Sequence, residues 1–163
     1  MTEPFVISRV FDAPRERVWQ AWTEVERLKQ WWGPKGFTVA HCTVDLRQGS
    51  CMHYCLRTPE GKEMWGRFVY REIVKPERLV WINSFSDRQG GLTVHPMSPN
   101  WPREMLSTAA FEALGGQTRL TVHWVPLEGS SELERKTFEE GRESMKMGWT
   151  GTMEQLTDYL KKG

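Results

Sequence analysis

The chain has 163 residues, 22 Lys and Arg against 21 Asp and Glu for a net charge of +1, 39% apolar and 12% aromatic residues, and nine tryptophans. The aromatic share argues against disorder, and the length fits one domain, residues 1–163, able to bury about 70% of the surface its unfolded chain would expose. The even charge balance removes the electrostatic basis for binding nucleic acid or an anionic membrane, both of which need clustered positive charge.

Residues 5–11, Phe-Val-Ile-Ser-Arg-Val-Phe, are β-branched and aromatic and stop at Asp12-Ala13-Pro14, which predicts a strand running into a helix start. Val18, Ala21, Trp22 and Val25 then follow helical spacing, and Leu28, Trp31 and Trp32 continue it into a second short helix that ends at Gly33-Pro34. Strands are predicted over 38–46 and 51–57. A turn at Thr58-Pro59-Glu60-Gly61 leads to a strand from Glu63 to Ile73. Lys75-Pro76-Glu77 breaks that strand, and Leu79 to Phe85 forms the next. Residues 104–113 and 118–125 make a last pair joined at Gly115-Gly116. These are about seven strands, six if two merge, and their short links make the sheet largely antiparallel.

Between them, 86–102 is irregular and contains Gly90-Gly91, His95-Pro96, Pro99 and Trp101-Pro102; a loop of this length is functional or mobile. After Ser131-Glu132-Leu133-Glu134, a capping-box spacing, the period changes. Phe138, Gly141, Met145, Trp149, Met153, Leu156 and Leu160 recur at steps of three and four, the stripe of one helix of about thirty residues. Gly141 and Gly148 stand on or beside this stripe although each costs about 1 kcal/mol relative to Ala. Either something presses close there or space is left open.

This order is an α+β plan in which a curved sheet buries the stripe of a long C-terminal helix. Arg9 through Trp19, Trp31-Trp32-Gly33-Pro34, Gly66 through Glu72-Ile73, Pro76 through Val80 and the late Gly148-Trp149 together resemble the SRPBCC superfamily. The closer resemblance is to its branch named for activators of the ninety-kilodalton heat-shock chaperone's ATPase. It covers nearly the whole chain, with Gly49-Ser50 where the branch often has two glycines and a longer loop over 86–102. The resemblance implies a helix-grip fold, similar to START lipid-transfer domains and pollen-allergen-type proteins, with a hydrophobic cavity between sheet and C-terminal helix.

Catalytic and metal motifs are scarce. Cys51, His53 and Cys55 share one strand face, but successive same-face residues stand about 6.6 Å apart, too far for one tetrahedral zinc with bonds of roughly 2.0–2.3 Å. His41 and Cys42 point to opposite faces, and His123 falls on the outer face of the last strand. His95, beside Met97 and Trp101, would act at near-neutral pH if its loop closes over a cavity mouth. The sequence carries no nucleophile elbow, His-Glu-x-x-His helix or phosphate-cradling glycine loop. Glu139-Glu140 belong to a solvated helix face. No cofactor is implied, and no catalytic residue is named.

The residues point instead to a pocket. Following the family, Met52, Tyr54 and Leu56 face inward while Cys51, His53 and Cys55 face out. The next strand contributes Met64, Gly66, Phe68 and Tyr70 or else Trp65, Arg67 and Val69, the first set being the more apolar. Leu120, Val122 and Trp124 form another wall, and Met145, Trp149 and Met153 the helix side; Tyr54, Asn83 and Ser107 are the polar groups suited to orient a ligand, and Trp101 lies on the loop that would cover the mouth. The same aromatic and methionine pattern also suits a filled core.

Three functions follow as expectations: binding of a hydrophobic, amphipathic or lipid-like small molecule in this cavity; co-chaperone-like stimulation of a heat-shock chaperone ATPase, as the branch name implies; and polyketide-cyclase-like chemistry. The absence of a catalytic motif favours binding over an enzyme. Three cysteines are too few for a disulfide framework, the N-terminus lacks a signal pattern, and no apolar run reaches a membrane span, which together predict a cytoplasmic protein, monomeric or homodimeric.

Overall fold

The computed structural model describes residues 2–95 and 98–162, so Pro96 and Met97 lie outside the described residues. The strand-rich N-terminal run forms β1 (Phe5–Phe11), and Pro14 opens α1 (Arg15–Thr23) by offering its carbonyl to the amides of Arg17 and Val18. Glu24 is extended and separates α1 from α2 (Val25–Trp31); its carboxylate accepts from Arg27 Nε at 2.7 Å. Then come β2 (Thr38–Val44), β3 (Cys51–Arg57), β4 (Glu63–Val74), β5 (Arg78–Phe85), β6 (Met105–Leu114) and β7 (Gln117–Pro126).

The seven strands form one antiparallel sheet in the order β1-β7-β6-β5-β4-β3-β2. Its curved inner face grips the C-terminal helix, an α+β helix-grip arrangement. Register fixes which side chains share that face: Met52, Phe68, Asn83 and Met105 form one cross-strand row, and Tyr70, Trp81, Ser107 and Trp124 the next. Among the described residues no helix is long and apolar enough to cross a membrane.

The expectation of one helix of thirty residues is corrected. The segment forms α3 (Glu132–Glu140) and α4 (Arg142–Lys161), broken at Gly141, whose φ of −91° and ψ of 8° leave the helical region. The capping box at its start does form: Ser131 Oγ accepts from the Glu134 amide at 3.1 Å, and Glu134 Oε1 accepts from the Ser131 amide at 2.9 Å. The glycine at the break answers to a neighbour outside the helix. A Cβ on Gly141 would lie 2.7 Å from the Trp101 ring, so the indole occupies the space a larger residue would need.

The buried stripe of α4 runs through Met145, Trp149, Met153, Leu156 and Leu160. Gln155 Nε2 donates toward the carbonyls of Trp31, Gly33 and Pro34, at 3.3, 2.9 and 3.2 Å, and fastens α4 to the end of α2. At the C-terminal end of the helix Arg17 donates to the Leu160 carbonyl at 2.6 Å, satisfying a terminal acceptor with a cation where the dipole favours one. On the N-terminal side of these ties lies an indole cluster centred on Trp22, whose ring stacks on Trp149 at 6.1 Å and 12° and packs on Trp31, Trp32 and Trp81 at 5.4–5.8 Å. Each buried indole contributes transfer free energy on the order of 4–6 kcal/mol, at about 25 cal/mol per Å² of apolar surface. The cluster is the reason α1 and α2 sit where they do.

Candidate functional site

Beyond the Trp22 cluster the sheet and α4 part company, and a recess of about 520 Å³ remains between them. Its strand walls come from the alternation of β3, β4 and β5: Tyr54 and Leu56, then Met64 and Phe68, then Asn83 and Phe85. Trp32 and Phe37 close one side and Trp124 the other. Met145, Gly148 and Trp149 give the helix wall, and Trp101 and His95 reach over from the loop 86–102. Exposed Glu140 and Ser144 mark the mouth, at the α3–α4 break.

Two glycines set the shape of this space. Gly66 has no side chain, and a Cβ there would come within 2.5 Å of the Tyr54 hydroxyl, so the phenol lies across the bare backbone of β4. Gly148 meets nothing: a Cβ there would have no atom within 4 Å. The two readings open at the sequence level are thus each realised once, with close contact at Gly141 and open space at Gly148.

Of the residues expected to line a cavity, Tyr54, Leu56, Phe68, Asn83, Trp101, Met145 and Trp149 stand around this recess. Met52, Tyr70, Ser107, Val122 and Met153 do not; they belong to the packed core. For Tyr70 and Ser107 the reason is the reach of α1. Trp22 packs on Trp81, the middle of the Tyr70–Trp81–Ser107 row, and fills the space these inward-facing residues would otherwise border. Ser107 still acts indirectly, because its fully buried hydroxyl makes a short hydrogen bond to Asn83 Oδ1.

Pattern reading passed over Trp32, Phe85, Thr137, Ser144 and Thr152, which also line the recess. A signal existed. Thr137, Gly141, Ser144, Gly148 and Thr152 recur at steps of four and three, a row of small residues beside the apolar stripe. Phe85 follows Asn83 by two, the strand period that sends both to one face.

The electrostatics of the recess are those of a dry pocket. Burial pushes the Tyr54 phenol well above its ordinary range, so it stays protonated; the Trp32 indole opposes this in part, although its buried Nε1 falls short of hydrogen-bond geometry to any described residue. Burial lowers the pKa of His95, whose ring packs on Phe85 at 4.6 Å and faces Trp101 at 6.3 Å. Among the described residues no group of three His, Cys, Asp or Glu is placed to hold a metal ion. Cys51 and His53 face outward, and so does Cys55, but Cys55 is buried beside its cross-strand partner Trp65, over which Arg88 lies at 5.6 Å. Cys42 is also buried, and desolvation pushes its thiol up to about 11, which makes it a poor nucleophile.

A sequence model of the family described as "Activator of Hsp90 ATPase homolog 1-like protein" matches residues 12–161. The chain belongs to this family. The activator-homologue fold recurs in a crystal structure of a protein from Nitrosomonas europaea, which is 25% identical, with 98% of this chain and 95% of that one covered at a TM-score of 0.76. A Mycobacterium smegmatis protein, 21% identical, superposes over 98% and 91% of the two chains with a TM-score of 0.77. A Silicibacter pomeroyi protein that itself carries the AHSA1 name is 19% identical over 97% of each chain, with a TM-score of 0.70. No curated protein matches the sequence. Membership in the activator-homologue family agrees with the wider SRPBCC superfamily and with the helix-grip fold.

Proposed function

We propose that this activator homologue binds a hydrophobic or amphipathic small molecule in the recess between its sheet and α4. The observation that carries the reading is Gly148. A glycine in a helix interior costs about 1 kcal/mol relative to alanine, and here it faces empty space rather than a neighbour that demands it. A volume of about 520 Å³ bounded by aromatic and methionine side chains lies in the range of small-molecule sites. Cytoplasmic residence goes with the reading, since Cys42, Cys51 and Cys55 are all free thiols.

The test is to fill the space. Gly148→Phe should fold, retain its far-ultraviolet circular dichroism and lose the adducts or dye fluorescence that native mass spectrometry or a neutral polarity-sensitive dye detects in the parent protein. A Gly148→Phe protein that binds as well as the parent would show that the recess is not the site. A second reading, stimulation of a heat-shock chaperone ATPase, is favoured by the family description alone; it predicts that the purified protein raises ATP turnover of that chaperone, and an unchanged rate removes it.

A further inference from the structure

The recess carries a charge rule, and this inference rests on the binding reading above. We infer that the occupant is an uncharged apolar molecule bearing a hydrogen-bond acceptor such as a carbonyl, and that carboxylate amphiphiles are rejected.

Three placements lead to this rule. No Lys or Arg is among the lining residues described, and the carboxylate that is, Glu140, stands at the mouth. Cations on neighbouring elements are occupied: Arg67 donates to Ser84 Oγ and the Gly90 carbonyl, Arg88 pairs with Glu63 beside Trp65, Lys35 pairs with Glu154, and Lys136 meets Glu140 at 4.0 Å. An anion entering this space would lose its hydration without a counter-charge, which is costly in an apolar surround.

Two polar groups on the sheet wall, Asn83 and Tyr54, are placed to donate. Ser107 is buried and its hydroxyl gives its proton to Asn83 Oδ1, which fixes that oxygen toward the core and leaves Nδ2, which donates to no described residue, to serve the recess. Tyr54 holds its proton across the bare backbone of Gly66 on the neighbouring stretch of the same wall. Ser84, which also lines the recess, already accepts from Arg67, and the Thr152 hydroxyl is given to the Gly148 carbonyl at 2.9 Å. A ligand acceptor therefore finds protons to take from Tyr54 and Asn83 on the sheet wall, whereas Thr137 and Thr152, whose hydroxyl protons are given to helix carbonyls, offer lone pairs on the helix wall. Burial also holds His95 toward its neutral form, so this ring adds no fixed positive charge at neutral pH, and Arg88 of the same loop is paired with Glu63.

The experiment uses the full chain and displacement of a neutral dye, Nile red, by four compounds on one skeleton: methylnaphthalene, acetylnaphthalene, naphthoate and naphthylmethylammonium. Acetylnaphthalene should displace the dye at about tenfold lower concentration than naphthoate, with the ammonium between or weaker. Tyr54→Phe and Asn83→Leu should each weaken acetylnaphthalene about three- to tenfold, the share of one hydrogen bond, while methylnaphthalene is unchanged and so reports that the pocket has kept its shape. Naphthoate or the ammonium binding as tightly as acetylnaphthalene overturns the charge rule and leaves the binding reading standing. Equal weakening of methylnaphthalene by both variants overturns the donor assignment. Displacement by none of the four, methylnaphthalene included, overturns the binding reading itself.

Discussion

The two ends of the space under the helix are built from the same residue types and behave differently. At the α1–α2 end, indoles from two short helices enter between sheet and helix, and Trp22 touches Trp31, Trp32, Trp81, Phe111 and Trp149. At the α3 end, tryptophans stand around the space without entering it: Trp32, Trp101, Trp124 and Trp149 are walls. Composition alone does not distinguish a filled core from a pocket; what decides is whether a third layer reaches in. Here the third layer stops at Trp22, and the glycine pair on α3–α4 marks the change, Gly141 pressed by an indole and Gly148 facing none.

Substitutions can break or sharpen this contrast. The largest effect is expected from Trp22→Ala, which should cost about 3–5 kcal/mol in urea unfolding because the hole is surrounded by rigid rings that cannot collapse; Trp101→Ala, on the open side, should cost about 1–2 kcal/mol. Equal losses at the two sites would erase the distinction between packed and open ends. Next in size, Gly141→Ala should destabilise by about 1 kcal/mol through the clash with Trp101, and should become neutral or stabilising when Trp101→Ala is already present, a sign change that a double-mutant cycle reads directly. Gly148→Ala should move the other way and stabilise by up to about 1 kcal/mol, since the methyl group enters free space and improves helix propensity.

The smallest effect concerns acid. Because burial lowers the pKa of His95, the unfolded chain takes up this proton at higher pH than the folded protein does. The neutral ring's contribution is therefore complete above about pH 6.5, the ordinary value for histidine, and is lost as pH falls below it. His95→Gln should flatten that part of the melting-temperature profile slightly, and a profile identical to the parent's would show that the loop over the recess does not exclude water from the ring.

Much of the fold was legible because its signals are local. The strand over 5–11, the turns at Thr58–Gly61 and Gly115-Gly116 and the Ser131–Glu134 cap each depend on neighbours within a few residues, and each forms as expected. The need for glycine at the α3–α4 break was not legible, because it depends on an indole that arrives from a distant loop. The recess was half legible for a related reason. Strand alternation sends Tyr54, Tyr70 and Ser107 alike to the inner face, but the reach of Trp22 to Trp81 separates the row that lines a neighbour from the residue that lines space. Sequence period gives a side; it does not give depth.

The tryptophan network has an optical consequence. Ring centroids from Trp31 through Trp22 to Trp149 and on to Trp124 lie 5.4–6.1 Å apart, an unbroken chain of chromophores that joins the packed interior to the wall of the recess. Excitation absorbed anywhere along it can migrate from ring to ring, and Trp149 and Trp124 in that chain line the recess. A quencher small enough to enter should darken far more of the fluorescence than the rings it contacts would account for by number, giving the molecule a built-in reporter of occupancy.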